Sequence, residues 1–142
     1  MPEVRRIFVE KKEGYDTESK NLLDDIKENL EIENLNSLRI ISRYDVSGLT
    51  NEEFSNAVTQ VFSEPPVDIV HFEKLELRED EFALGVEYLP GQYDQRGDSA
   101  SQAVQIITLQ ERPIVLTARI YVFAGILADE ELQKIKKYLI NP

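Results

Sequence analysis

The chain has 142 residues, 16 Lys and Arg against 27 Asp and Glu for a formal net charge of -11, no Cys, and 1 histidine, His71. That length is one ordinary domain or two very small ones, and with 42% hydrophobic residues it needs neither disulfide nor metal to hold a core. The composition excludes thiolate nucleophiles, Fe–S clusters and Cys or multi-His zinc sites, and the acidic balance repels phosphate backbones, so no nucleic-acid partner is expected.

No apolar run approaches the ~20 residues of a membrane span. Met1-Pro2-Glu3-Val4-Arg5-Arg6 also lacks the apolar core of a signal peptide. A cytoplasmic protein with no membrane partner is therefore expected.

In chain order, Arg5 to Glu10 is β-branched and aromatic with short alternation and predicts a strand. A helix follows from Asp16 or Thr17 as N-cap, with Leu22, Leu23, Ile26 and Leu30 at helical spacing. Leu38, Ile40, Tyr44 and Val46 alternate with Arg39, Arg43 and Asp45 as a half-buried strand in which Ser42 is the polar interruption. Thr50-Asn51-Glu52-Glu53 spells a capping box, launching Phe54, Ala57, Val58, Val61 and Phe62 on one face of a helix that Pro65-Pro66 stops. Val67 to Leu77 predicts a strand, and Arg78 to Glu81 a solvated polar connector.

The pattern then restarts. Phe82, Leu84, Val86 and Tyr88 alternate as a strand, and Pro90 to Asp98 reads as a loop. Ser99, with Gln102 as its box partner, predicts the start of a helix with Ala100, Ala103, Val104 and Ile107 as its stripe. In the strand after Pro113, Leu116, Ala118, Ile120 and Val122 face one way and Thr117, Arg119, Tyr121 and Phe123 the other, closing at Gly125. A final helix runs from Asp129 to Ile140.

These halves are in register. Glu10 and Gly14 match Glu87 and Gly91 at an offset of 77 (87 − 10), and Tyr15-Asp16 match Tyr93-Asp94 at 78 (93 − 15). Leu49, Glu52, Glu53, Phe54, Ala57, Val61 and Phe62 each find a counterpart at 78, from Leu127 to Ile140, with looser spacing between Arg39 and Arg119. The expected fold class is α+β: tandem, ferredoxin-reminiscent β-α-β-α-β units with antiparallel sheets packed against helices. The expected division is 1–78 for the first repeat and 79–142 for the second within one domain of residues 1–142. Each unit has a one-sided sheet that the other covers across a pseudo-twofold interface. The second copy stops at Asn141-Pro142, where the first runs on into another strand, so it is expected to be cut short before its last strand.

Arg5-Arg6-Ile7-Phe8-Val9-Glu10-Lys11-Lys12, Arg43-Tyr44-Asp45-Val46, Phe62-Ser63-Glu64, Leu89-Pro90-Gly91-Gln92-Tyr93-Asp94-Gln95-Arg96 and Lys137-Tyr138-Leu139-Ile140-Asn141-Pro142 resemble the amino-terminal domain of the long single-chain phosphoribosylformylglycinamidine synthase. The resemblance spans the whole chain, and the Leu89–Arg96 stretch is its most specific part. It implies a domain similar to a fused pair of PurS-type subunits. The parent enzyme is a purine-biosynthesis ligase that uses ATP, Mg²⁺ and glutamine-derived ammonia to make the amidine from formylglycinamide ribonucleotide. By the same resemblance the chemistry lies in later synthetase and glutaminase regions, which would be the partners of a non-catalytic scaffold carrying no cofactor itself.

Read without the resemblance, the chain is alternatively a stand-alone regulatory module binding a small molecule at its internal interface. The residues singled out for ligand or inter-domain contact are Gly91, Gln92, Tyr93, Asp94, Gln95 and Arg96, between a strand and a helix start. Their structural reading is a Gly91 turn, an Asp94–Arg96 pair, and capping by Asp98 or Ser99. His71 has no Cys, Ser or second His to make it a base or ligand, so no catalytic residue and no metal site are assigned. Glu52-Glu53 and Glu130-Glu131 sit at helix starts as dipole partners. An open strand edge left by the short second copy would invite a homodimer.

Overall fold

The computed structural model describes residues 3–140, so Met1, Pro2 and the closing Asn141-Pro142 of the resemblance lie outside the described residues. The elements are β1 (Val4–Lys11), α1 (Thr17–Asn29), β2 (Leu35–Ser47), α2 (Asn51–Ala57) continuing as a π-helical turn (Val58–Phe62), β3 (Asp68–Phe72), β4 (Glu81–Glu87), α3 (Gln95–Thr108), β5 (Ile114–Gly125) and α4 (Asp129–Ile140). The order β-α-β-α-β is thus followed by β-α-β-α. All five strands join one antiparallel sheet in the order β3-β1-β2-β5-β4.

The two copies meet at the β2–β5 ladder, where Ser42 lies opposite Arg119. Their separation, 119 − 42 = 77, is the repeat offset of the strands, so the pseudo-twofold passes through this pair. Tyr44 and Tyr121 are then equivalents, and both face the helices. The suggested match of Arg39 with Arg119 fails. Arg39 lies opposite Val122 and Arg119 opposite Ser42, which places the two guanidines on opposite faces of the sheet.

All four helices cover one face, in pairs that mix the repeats. Phe54, Ala57, Val58 and Phe62 of the second helical segment pack with Ala100 and Val104 of α3 over Ile7, Val9, Tyr44, Val46 and Val115. Ile26 of α1 and Ile135 of α4 pack over Leu38 and Phe123. Each repeat therefore buries its apolar stripe against a helix of the other copy. Fully burying one Leu, Ile or Phe contributes roughly 1.5–3 kcal/mol.

The repeat extends to helix capping. Thr50 accepts from the Glu53 N–H at 3.1 Å while the Glu53 carboxylate accepts from the Thr50 N–H at 2.9 Å, the capping box read from sequence. In the second copy the Glu131 carboxylate accepts from the Ala128 N–H at 2.9 Å. The Ala128 carbonyl takes the first helical bond, from the Leu132 N–H. The box is half-built there because Ala128 has no hydroxyl.

Three sequence expectations change. The helix from Asn51 does not continue as α to Phe62: it widens into a π turn at Val58, and the Ser63 hydroxyl donates to the Val58 carbonyl at 2.6 Å. The third strand ends at Phe72, not Leu77. Glu73, at φ 66, turns the chain off the edge, and Glu73–Asp80 crosses the helix-free face to reach β4 at the opposite edge. On the way Leu75 packs on Phe8, Ile41, Ile120 and Val122, which accounts for an apolar residue at 75, beyond the strand's true end.

Finally, Arg78 to Glu81 is not a freely solvated linker. The Glu81 side chain is 0% exposed and accepts from the Arg78 N–H at 2.9 Å and from the Arg39 guanidinium at 3.3 Å. The same Arg39 donates to Glu10, and His71 Nε2 lies 2.7 Å from Glu10 Oε1. Burial pushes the Glu10 and Glu81 carboxyls up. The hydrogen bonds from Arg39 and His71 to Glu10, and from Arg78 and Arg39 to Glu81, outweigh it and hold both below the usual carboxylate range. His71 thus joins the hydrogen-bond cluster around Glu10.

Candidate functional site

The helix pairs α1/α4 and α2/α3 leave a cleft between them over the middle of the sheet. Its floor on the first-repeat side is Val9, Ser42 and Tyr44, and on the second-repeat side Thr117 and Arg119 of β5 with Val86 of β4. Two cavities, of about 370 and 620 Å³, open along it, and both are lined by Arg96 and Arg119.

The cavities are images of one another under the repeat. Val9, Val61 and Phe62 line the smaller one, and their equivalents Val86, Leu139 and Ile140 line the larger. Glu18 of α1 and Arg96 of α3 are likewise equivalent, at an offset of 78 (96 − 18). The charges are not conserved across the axis. Glu18 accepts from Arg119 Nη2 with both carboxylate oxygens, at 2.9 and 2.8 Å. In the mirrored position Arg96 faces a cleft whose counterpart of Arg119 is the neutral Ser42. Arg96 is exposed and has no ion-pair partner among the described residues.

Of the residues singled out from sequence, Gln92 and Arg96 line the larger cavity. Asp94 does not pair with Arg96. It is the N-cap of α3, accepting from the Gly97 N–H at 2.8 Å, and it also accepts from the Thr117 hydroxyl and N–H, both at 2.7 Å. Those bonds staple the helix start to β5. The helix accordingly begins at Gln95, four residues before the Ser99 cap that sequence suggested, and Asp98 and Ser99 lie inside it. The cap at Asp94 repeats that at Asp16, also the residue before its helix, although the Asp16 carboxylate accepts from the Gly14 N–H instead.

Gly91 sits at φ +89 in the turn that brings the Gln92 N–H to the Leu89 carbonyl. The Gln92 Oε1 accepts from the Leu89 N–H at 2.6 Å, which leaves its amide NH₂ without a hydrogen-bond partner among the described residues. The Tyr93 hydroxyl donates to Asp98 at 2.6 Å, which pushes the phenol up and, with Arg112, holds the Asp98 carboxyl down. Gln95 is exposed and makes no side-chain hydrogen bond among the described residues. The loop's polar residues are thus divided between capping and cavity lining.

Sequence reasoning missed Arg119, Thr117 and the Leu139–Ile140 wall. The signal for Arg119 was present: the alternation put an arginine on the same strand face as Tyr121 and Phe123, a face that helices cover. Among the described residues no cluster of His, Asp or Glu fit to hold a metal occurs, and no helix is long and apolar enough to cross a membrane. No family model, curated protein or solved structure matches the chain.

Proposed function

We propose that the chain is a non-catalytic, PurS-like scaffold domain of phosphoribosylformylglycinamidine synthase, working in the cytoplasm. It holds the synthetase and glutaminase regions of the parent enzyme in the relation that ammonia transfer requires. ATP and Mg²⁺ belong to those regions. The observation that carries this reading is the doubled β-α-β-α order, folded about the Ser42–Arg119 pair with helices exchanged between copies. A fused pair of PurS-type units would give such a doubled order, which supports the reading.

Two further features support a docking role. On the helix-free face, beyond the strap Glu73–Asp80, Val4, Ile114 and Leu116 are 61%, 62% and 60% exposed. They flank the Arg6–Asp45 pair, in which Arg6 Nε donates to Asp45 at 2.7 Å, and such an apolar patch with a polar rim suits a protein contact. The outer edge of β4 also carries no paired strand among the described residues, whereas its counterpart β1 is covered by β3. An added strand, from the parent enzyme or from a second copy as a homodimer, fits that edge.

The test is reconstitution in trans. Sedimentation of the chain with the separately produced synthetase–glutaminase remainder is expected to give a complex that Leu116→Arg weakens. No association at high micromolar concentration overturns the proposal.

A further inference from the structure

We infer that the larger cavity, between β4–β5, the start of α3 and the end of α4, binds a small organic anion: one carboxylate or phosphate on an apolar body. The cavity encloses about 620 Å³, within the range of small-molecule sites. Its apolar wall is Val86, Leu89, Leu139 and Ile140, and its polar donors are Arg96, Arg119 and the Gln92 amide. Guanidinium groups recognise carboxylate and phosphate through paired N–H donors, and an apolar wall supplies the area for the rest of the ligand.

The comparison with the smaller cavity shows why the anion belongs on this side. That cavity shares Arg96 and Arg119 but is also lined by Glu18, Glu64 and Asp68, and Asp68 pairs with Lys11 at 3.0 Å. Its cations are matched by acids. The larger cavity is lined by a single carboxylate, Glu87, which the Arg43 guanidinium engages at 2.6 Å. In a chain of net charge -11 this leaves Arg96 facing the cavity with no paired acid among the described residues. Arg119 is partly committed to Glu18 and Ser42, so Arg96 is the principal anchor and Glu18 a competitor for its neighbour.

Binding is tested on the intact chain by amide chemical-shift titration, with adenosine monophosphate, phenylacetate and inorganic phosphate as probes. Saturable shifts are expected at Val86, Gln92, Arg96 and Leu139. Arg96→Gln is expected to weaken binding by about tenfold, equivalent to roughly 1.4 kcal/mol, and Glu18→Gln to strengthen it by freeing Arg119. Lys11→Gln, in the smaller cavity, leaves the affinity unchanged. Saturation by the monophosphate alone identifies a phosphate ligand, and by phenylacetate alone a carboxylate. Inorganic phosphate binding as tightly as both overturns the apolar part of the site. Failure of all three probes to saturate, or full affinity in Arg96→Gln, overturns the proposal. The scaffold reading is judged separately by association in trans.

Discussion

Glu18 of α1 holds Arg119 of β5 with both carboxylate oxygens, joining the first copy to the second across the cleft. Both oxygens accept from the single nitrogen Nη2 and the Glu18 side chain is 66% exposed, so solvent screens the pair. Glu18→Gln is expected to lower stability by less than about 1 kcal/mol in urea denaturation. A loss above that would make the pair a structural cross-brace between the copies.

Burial decides what a change of charge meets. Ile120 is buried among Phe8, Ile41 and Val122 under the strap residue Leu75. Ile120→Asp places an unpaired carboxylate there and is expected to cost about 4 kcal/mol or more, enough to unfold a marginal domain. Arg96→Ala removes an exposed side chain and is expected to stay within about 0.5 kcal/mol of wild type. Equal shifts in thermal midpoint for the two variants would overturn the face assignment.

Acid should loosen the fold through the strap's ion network. Glu10 and Glu81 are held below their ordinary value of 4.5 by Arg39 and by His71 or Arg78, despite burial. A carboxyl with a lowered folded pKa stabilises the fold above its unfolded value, and that contribution disappears as pH falls through the folded value. Stability measured by urea midpoint is therefore expected to hold at pH 6–7 and to decline below about pH 4.5. Arg39→Ala, which strips Glu81 and Glu10 of a shared partner, is expected to cost about 3 kcal/mol at neutral pH and to flatten the acid decline. An unchanged pH profile in that variant would place the acid sensitivity elsewhere.

The half-built cap of α4 is a site for stabilisation. Thr50 completes its box with Glu53, while Ala128 offers Glu131 only a backbone N–H. Ala128→Thr is expected to stabilise the chain by about 0.5–1 kcal/mol, raising the thermal midpoint by a few degrees. No gain would mean that the extended backbone geometry of Thr50 is not reproduced at residue 128.

Periodicity made most of the fold legible. The alternation of Leu38 to Val46 and of Leu116 to Phe123 sorted the faces of β2 and β5 correctly, because each strand sits mid-sheet with a distinct environment on either side. The Thr50 cap and the Asp129–Ile140 helix were read at their observed positions. The third strand was overextended because Leu75 and Leu77 continue its pattern. What selects Leu75 is the sheet face it covers, a tertiary demand that no local window contains.

The candidate site was legible only in its loop. The Ser99–Gln102 pair suggested the cap, but the bonds that Asp94 accepts from Thr117 decide the helix start, and they come from a strand 23 residues away. Gln92 and Arg96 were found, whereas Arg119 and Leu139 become neighbours of that loop only after β5 and α4 close over β4.

The covalent link between the copies has to cross the sheet. β3 and β4 lie at opposite margins of a five-strand sheet, four spacings or roughly 19 Å apart, and the roughly eight residues of Glu73–Asp80 reach at most about 26 Å when drawn out. The segment bends at Glu73 and turns at Glu79–Asp80, so excising three residues, which cuts the reach to about 17 Å, would pull one margin inward and uncover Phe8, while insertions there would only slacken it. The tether thus resists shortening, and its length matches the width of the platform it traverses.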